Sequence, residues 1–230
     1  MRKREIEIIP TYVPHDAADL AEGIRAIRTF SSQIHVDITD GLFTPEFTWP
    51  YVKKGEFGKF NFAGADGLFA EVHLMTENPR AIGIAFARAG ASRILGHIEA
   101  FSTAAEAKET LLAWRANGAD ETGLSALLNT PFEMIEPLIP MCDAVHLMSI
   151  ASIGAQGIPF DPRGITRIRK FHSKYPDVLI SVDGGVAESN IADLVRAGAR
   201  RFGVGSAISR SENPAASYTL LKTLAESAML

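Results

Sequence analysis

The run Gln33-Ile34-His35-Val36-Asp37-Ile38 sets a histidine and an aspartate two residues apart. In an extended strand that spacing puts both side chains on one face. The segments Glu71-Val72-His73-Leu74-Met75 and Ser181-Val182-Asp183-Gly184-Gly185 also carry polar side chains among apolar neighbours. His35, Asp37, His73 and Asp183 make an N2O2 set. Such a set suits one divalent metal ion, Zn2+ first and Fe2+, Mn2+ or Co2+ as well. A buried carboxylate needs a partner of this kind, because an isolated buried charge is expensive. Two carboxylates brought together could also remove and return a substrate proton. Any one of these histidines alone reads as a hydrogen-bonded core residue. Four ligand-type side chains at one level on converging strands favour the metal. His97 and His146 lack a matching carboxylate of their own and are expected to back the ligands or to pack. Glu99 reads either as a partner behind them or as a salt-bridged rim residue.

The elements that position these residues are short apolar runs at 6–9, 33–38, 70–75, 93–98, 123–128, 144–150, 178–182 and 201–205. Helical segments are expected between them. Leu20, Ile24 and Ile27 recur at helical spacing within 17–30, and 104–116 is rich in Ala, Leu, Glu and Lys. Pro79 stands where a helix begins, a position that proline tolerates. Alternation of this kind in 230 residues predicts an α/β fold, a (β/α)8 TIM barrel forming one domain over 1–230. An open doubly wound sheet is the alternative, but no G-x-G-x-x-G follows the first strand. The stretch 48–67, with many glycines and aromatics, is expected to be a long loop with a short helix. In a barrel, active sites form at the C-terminal ends of the strands, which is where most of the polar residues fall.

Glycines follow the last two strands, at Gly184-Gly185 and at Gly205-Ser206. Their backbone N–H groups could hold a phosphate. The loop Ile153-Gly154-Ala155-Gln156-Gly157 could form a third wall.

Composition narrows the class of partner. A 22% charged content and a net charge of -4 give no concentrated basic face, so no nucleic-acid partner is expected. No apolar run reaches the roughly 18 residues that a membrane span needs, so no membrane partner is expected. The basic start Met1-Arg2-Lys3-Arg4 is followed by Glu5 and Glu7 rather than by an apolar run, which reads as a strand and not a signal peptide. Cys142 is the only cysteine. No intramolecular disulfide can form, a cytoplasmic location is expected, and the thiol reads as packing. A homo-oligomer is expected.

These residues resemble those of the ribulose-phosphate 3-epimerases over residues 9–208. His35-Val36-Asp37-Ile38-Thr39-Asp40-Gly41 is similar to the family's H-V-D-I-M-D-G. Val72-His73-Leu74-Met75 with Glu77-Asn78-Pro79 resembles V-H-L-M-V-x-N-P, and His97-Ile98-Glu99-Ala100 resembles H-x-E-A. Leu147-Met148-Ser149-Ile150 resembles L-M-S-V, while Val182-Asp183-Gly184-Gly185-Val186 and Gly205-Ser206-Ala207-Ile208 match V-D-G-G-V and G-S-A-I. The resemblance implies a barrel of the ribulose-phosphate-binding type and a metal-dependent epimerase of carbohydrate metabolism. It would invert C3 of a ketose phosphate, such as ribulose 5-phosphate or xylulose 5-phosphate, through a cis-enediolate. It implies one metal on His35, Asp37, His73 and Asp183, with the two aspartates as the acid/base pair. Thr11, Met75, Met148, Gly154, Gln156, Gly184, Gly185, Gly205 and Ser206 then contact the substrate or its phosphate.

There are departures from the family pattern. Thr11 stands for a serine, Thr39 for a methionine, and Ser152-Ile153-Gly154-Ala155-Gln156 for the glycine-rich P-G-F-G-G-Q. They touch substrate and phosphate contacts and leave the metal and acid/base set intact. Two other readings remain. One is a sugar-phosphate or nucleotide decarboxylase on a related barrel, whose D-x-K-x-x-D pattern would need a lysine that 35–40 lacks. The other is a non-catalytic sugar-phosphate-binding barrel, which would not need two opposed carboxylates. Epimerisation of a six-carbon ketose phosphate lies within the epimerase reading.

Overall fold

The computed structural model describes residues 5–62, 65, 67–154 and 157–229. The strands are β1 (Glu7–Tyr12), β2 (Gln33–Thr39), β3 (Tyr51–Lys53), β4 (Glu56–Phe57), β5 (Phe69–Met75), β6 (Arg93–His97), β7 (Glu121–Ala126), β8 (Ala144–Met148), β9 (Ile180–Asp183) and β10 (Arg201–Val204). Eight of them close into a parallel barrel in the order β1-β10-β9-β8-β7-β6-β5-β2, and β3 and β4 form a separate hairpin.

Alternation along each barrel strand sorts its side chains. In β2, Ile34, Val36 and Ile38 join the main hydrophobic core, while His35, Asp37 and Thr39 take the opposite face. In β5, Ala70, Val72 and Leu74 join that core, and Glu71, His73 and Met75 oppose them. The apolar faces turn outward against the helices α1 (Ala17–Ile27), α2 (Pro79–Arg88), α3 (Ala104–Ala116), α4 (Arg163–Lys174), α5 (Ile191–Ala197), α6 (Ser206–Ser209) and α7 (Pro214–Ser227). Leu20 and Ile24 of α1, Ile82 and Phe86 of α2, Leu111 and Trp114 of α3, Ile168 and Phe171 of α4 and Leu221 of α7 are buried in that shell. The main hydrophobic layer therefore lies between barrel and helices, and the barrel interior holds most of the buried strand polar groups together with Ile9 and Leu95. Side-chain caps fix where three helices begin. Asp16 accepts from Ala18 and Asp19 N–H, Thr103 from Glu106, and Asn213 from Ala216, each worth roughly 1 kcal/mol.

Two expectations are corrected. Among the described residues of 48–67 there is no helix. The chain forms the β3–β4 hairpin, with Gly55 at φ 72° in its turn. Tyr51 pairs with Phe57 across it, their ring centroids 5.8 Å apart. Trp49, Phe60 and Phe62 pack on Phe86 at 5.8, 4.6 and 5.5 Å, so the aromatics anchor this excursion onto α2. Between β7 and β8 the expected helix is replaced by the 3-10 turns Phe132–Met134 and Glu136–Met141. Pro137 and Pro140 supply no backbone donor there, so an α-helical ladder cannot run through.

Candidate active site

His35 Nε2 and His73 Nδ1 approach the same oxygen, Oδ1 of Asp37, at 3.0 and 2.9 Å. Asp183 completes the group, and one ligand atom from each of the four residues lies within 4.8 Å of the others. The register explains the convergence: Asp37 pairs with His73 across β2–β5, and Met148 pairs with Asp183 across β8–β9. Two imidazole nitrogens and two carboxylates closing on one point are donors of the kind and number that a four-coordinate divalent ion takes. The residues present fit such an ion.

The far sides of both imidazoles are also held. His35 Nδ1 lies 2.6 Å from Glu71 Oε1. His73 Nε2 lies 3.0 Å from His97 Nε2, and His97 Nδ1 lies 3.1 Å from Glu99 Oε2. Glu99 in turn accepts from the Leu127 N–H at 2.8 Å and from the Thr130 hydroxyl. Donation outward from His35 Nδ1 and His73 Nε2 leaves the two inner nitrogens free to bind an ion. The backing role expected for His97 is thus present, and Glu99 is its partner rather than a rim residue. His146 packs against both ligand rings, with centroids 5.7 Å from His35 and 4.9 Å from His73. Its Nδ1 meets Ser181 Oγ at 2.8 Å. Burial keeps His97 and His146 below the usual histidine range, so both are neutral.

The two aspartates are pushed in opposite directions. Burial alone would raise Asp37, but His35 and His73 outweigh it and hold its carboxyl well below the ordinary value. Asp183 is raised to about 6 by burial and by the charge of Asp37 beside it. One carboxyl group is firmly ionised, and its neighbour takes up a proton at a higher pH than an ordinary carboxylate does.

Beneath His35 lies an ionic cluster that sequence reasoning missed. Glu71 Oε2 accepts from Arg93 Nη1 at 2.7 Å, and Arg93 Nε donates to Glu121 Oε2 at 2.7 Å. Arg201 donates to both Glu7 oxygens at 3.0 and 3.1 Å, and it reaches Glu121 at 3.3 Å. The signal was present: Arg93, Arg201 and Glu71 each stand in an apolar strand at the inward register. Burial would raise Glu71, yet Arg93 and His35 hold it well below the usual carboxylate range.

Above the aspartates the cavity has two lobes, which share Asp37, Ile150 and Asp183. Thr11, Gly184, Gly185, Gly205 and Ser206 line one lobe, together with Gly157. Met75, Met148 and Gly154 line the other, with Val13, Thr39 and Ile153. Gly154 thus stands across the aspartates from the other glycines. Gln156 lies outside the described residues. Gly184 and Gly185 have φ of 108° and 67°, and a Cβ on Gly185 would come within 2.6 Å of the Phe160 backbone. Ser149 fixes this turn by donating to the carbonyl of Gly184 at 2.7 Å. Asp40 does the same for the β2 loop: its carboxylate accepts from the N–H groups of Leu42 and Phe43, and from that of Glu77 across in the β5 loop. Cys142 is remote from these groups, and burial pushes its thiol up to about 12, in keeping with packing.

Residues 7–209 match the family described as the ribulose-phosphate 3 epimerase family. The ribulose-phosphate 3-epimerase of Aquifex aeolicus is 34% identical over 227 residues, covering 96% of this chain and 98% of the relative. That of Chlamydia muridarum is 34% identical over 206 residues, covering 86% of each. The cytoplasmic isoform from Oryza sativa subsp. japonica is 30% identical over 223 residues, covering 96% of this chain and 94% of the relative. Among solved structures, 3-hexulose-6-phosphate synthase from Salmonella typhimurium superposes with a TM-score of 0.67 at 11% identity, covering 97% of this chain and 100% of that one. A tryptophan synthase alpha-subunit mutant from Pyrococcus furiosus gives 0.63 at 20% identity, covering 98% of each. At such identities these two likenesses speak to the fold alone.

Proposed function

This chain belongs to the ribulose-phosphate 3-epimerase family, and from that premise we propose that it inverts C3 of a ketose phosphate by proton transfer between Asp37 and Asp183. Ribulose 5-phosphate and xylulose 5-phosphate, or a closely related ketose phosphate, are the substrates. The observation that carries this reading is the pair of aspartates, both of which line each of the two lobes at their junction.

Asp37, as carboxylate, takes the C3 proton from one face of the sugar, leaving an enediolate. Asp183, as carboxylic acid, returns a proton to the opposite face. The reverse reaction exchanges the roles. His35, Asp37, His73 and Asp183 would hold one divalent ion, Zn2+ first among those that suit the set. When bound, the ion supplies electrostatic stabilisation of negative charge on the substrate oxygens. Met75 and Met148 give the site a dry, polarizable wall. Gly184, Gly185, Gly205 and Ser206, with Thr11, receive the phosphate end.

The cavity supports this reading over a decarboxylase, because none of its described lining residues is a lysine. A cytoplasmic location belongs to the same reading, supported by the relative named as a cytoplasmic isoform. No helix among the described residues is long and apolar enough to cross a membrane. Self-association also belongs to it, and exposed Leu42, Phe47 and Val52 are apolar surface that a second copy would cover.

The test is incubation of the metal-loaded protein in D2O with five- and six-carbon ketose phosphates, followed by proton NMR. Exchange at C3 with formation of the epimer is expected. Asp37→Asn and Asp183→Asn should each lower turnover by about 10²–10⁴-fold. No exchange on any substrate, or unchanged turnover in either variant, would overturn the reading.

A further inference from the structure

The two lobes of the cavity differ in chemistry. The first presents the glycine turns, whose N–H groups suit an anion. The second is walled by Val13, Met75, Met148, Ile150 and Ile153. A ketose phosphate lying across Asp37 and Asp183, with its phosphate in the first lobe, puts its other end in the second. That end carries the C1 hydroxyl. A wholly apolar lobe would strip this hydroxyl of water and offer nothing in return.

Thr39 interrupts that apolar wall. It pairs with Met75 in the β2–β5 register, lines the second lobe, and is 1% exposed. Its backbone is fixed from outside: the N–H donates to Thr48 Oγ1 at 3.0 Å, and the carbonyl accepts from the Thr48 N–H at 3.1 Å. Its own hydroxyl oxygen is buried with no hydrogen-bond partner. Valine has the same shape and would fill this position without that cost, so the hydroxyl calls for a ligand. Among the described residues lining this lobe, the other polar side chains are Asp37 and Asp183, both already engaged in metal binding and proton transfer.

We propose that Thr39 is a specificity-determining residue whose hydroxyl hydrogen-bonds the C1 hydroxyl of the bound ketose phosphate. The site thereby selects ligands with a terminal hydroxymethyl group over their 1-deoxy counterparts. The inference rests on the epimerase reading for the direction in which the ligand lies.

The experiment compares wild type, Thr39→Val and Thr39→Ser, each loaded with metal. Calorimetry measures binding of a pentitol 5-phosphate, which has no ketone and cannot react, and of its 1-deoxy counterpart. Steady-state rates are measured on the ketose phosphate and its 1-deoxy analogue. A neutral hydrogen bond worth about 0.5–1.5 kcal/mol corresponds to a preference of about 2–13-fold for the hydroxylated ligand. Wild type and Thr39→Ser should show that preference. Thr39→Val should lose it by weakening the hydroxylated ligand alone. An equal loss on both ligands, or a preference unchanged in Thr39→Val, overturns the assignment. Wild type that binds the pentitol phosphate with this preference but epimerises no ketose phosphate would sink the epimerase reading and leave Thr39 in its role. Wild type that binds neither ligand would overturn both.

Discussion

Nδ1 of His35 lies 2.6 Å from Oε1 of Glu71, and neither side chain is reached by water. The contact sets the ring plane of His35 and makes Nδ1 the donor, which turns Nε2 toward Asp37 and the candidate ion site. Partners placed behind metal-binding histidines typically account for 10–100-fold in affinity. Glu71→Gln keeps an acceptor but removes the charge that makes the imidazole a strong ligand. Its affinity for Zn2+ should fall by about 10–100-fold, as measured by competition with a chromophoric chelator. An unchanged affinity would mean that Asp37 alone orients the ring.

Glu71 also ties metal binding to stability, because its second oxygen takes Arg93 at 2.7 Å. Both side chains are almost wholly buried, at 1% and 3% exposure. Removing one partner of such a pair strands the other charge, at about 3–5 kcal/mol. Arg93→Met should therefore lower the unfolding free energy by about that amount in urea melts. The pH dependence has a definite sign. The Glu71 carboxyl is depressed below its ordinary 4.5, so its contribution is complete above that value and is lost as the pH falls through the folded-state value below it. The stability gap between wild type and Glu71→Gln should be full at neutral pH and narrow only below pH 4.5. A gap that narrows on going from pH 8 to pH 6 would assign it to another group.

The barrel was legible because each strand is an apolar run with polar residues at alternate positions, and that periodicity survives folding. His35, Asp37, His73 and Asp183 were legible for the same reason. Inward register and strand-end position are properties of the chain, and β2–β5 pairing places Asp37 beside His73. The ionic cluster was not assembled from sequence, because Glu71, Arg93, Glu121 and Arg201 come from four strands whose stagger must be known before they meet. The hairpin at Tyr51–Lys53 and Glu56–Phe57 was missed because its cue is a single Gly55 turn, while the surrounding aromatics serve packing on Phe86 and carry no strand period. The division of the cavity into two lobes, with Gly154 apart from the other glycines, depends on loop paths that no local pattern encodes.

Metal uptake should release protons in a pH-dependent count. In the metal-free protein burial pulls His35 down, but Asp37 and Glu71 outweigh it and hold the imidazolium well above 6.5. Asp183 keeps its proton up to about 6. An ion must displace the His35 proton to reach Nε2, whereas Asp183 can bind through one oxygen and keep a proton on the other. A plot of log affinity against pH should rise through neutral pH, because the His35 proton is lost on binding. Calorimetry in buffers of different ionisation enthalpy counts the protons directly. A slope of zero across this range would contradict the charge state assigned to His35.

Gly203 gives Asp183 its room. A Cβ built on Gly203 would lie 3.1 Å from Oδ1 of Asp183 and 3.3 Å from its Cβ and Cγ. Gly203→Ala should therefore push the carboxyl aside by roughly a few tenths of an ångström. A shift of about 1 Å in a reacting group can cost 10²-fold, so a smaller one is expected to lower kcat by roughly 10-fold. The fold should tolerate the methyl. Loss of unfolded-state freedom stabilises by about 0.4–1 kcal/mol and offsets the local crowding, so the unfolding free energy should stay within about 1 kcal/mol of wild type. Gly203→Ala leaves His35, Asp37 and His73 untouched, so Zn2+ should still bind, with kcat falling more than affinity. If kcat is unchanged while the protein remains folded, Asp183 does not need its observed position, and proton transfer would have to be assigned to another group.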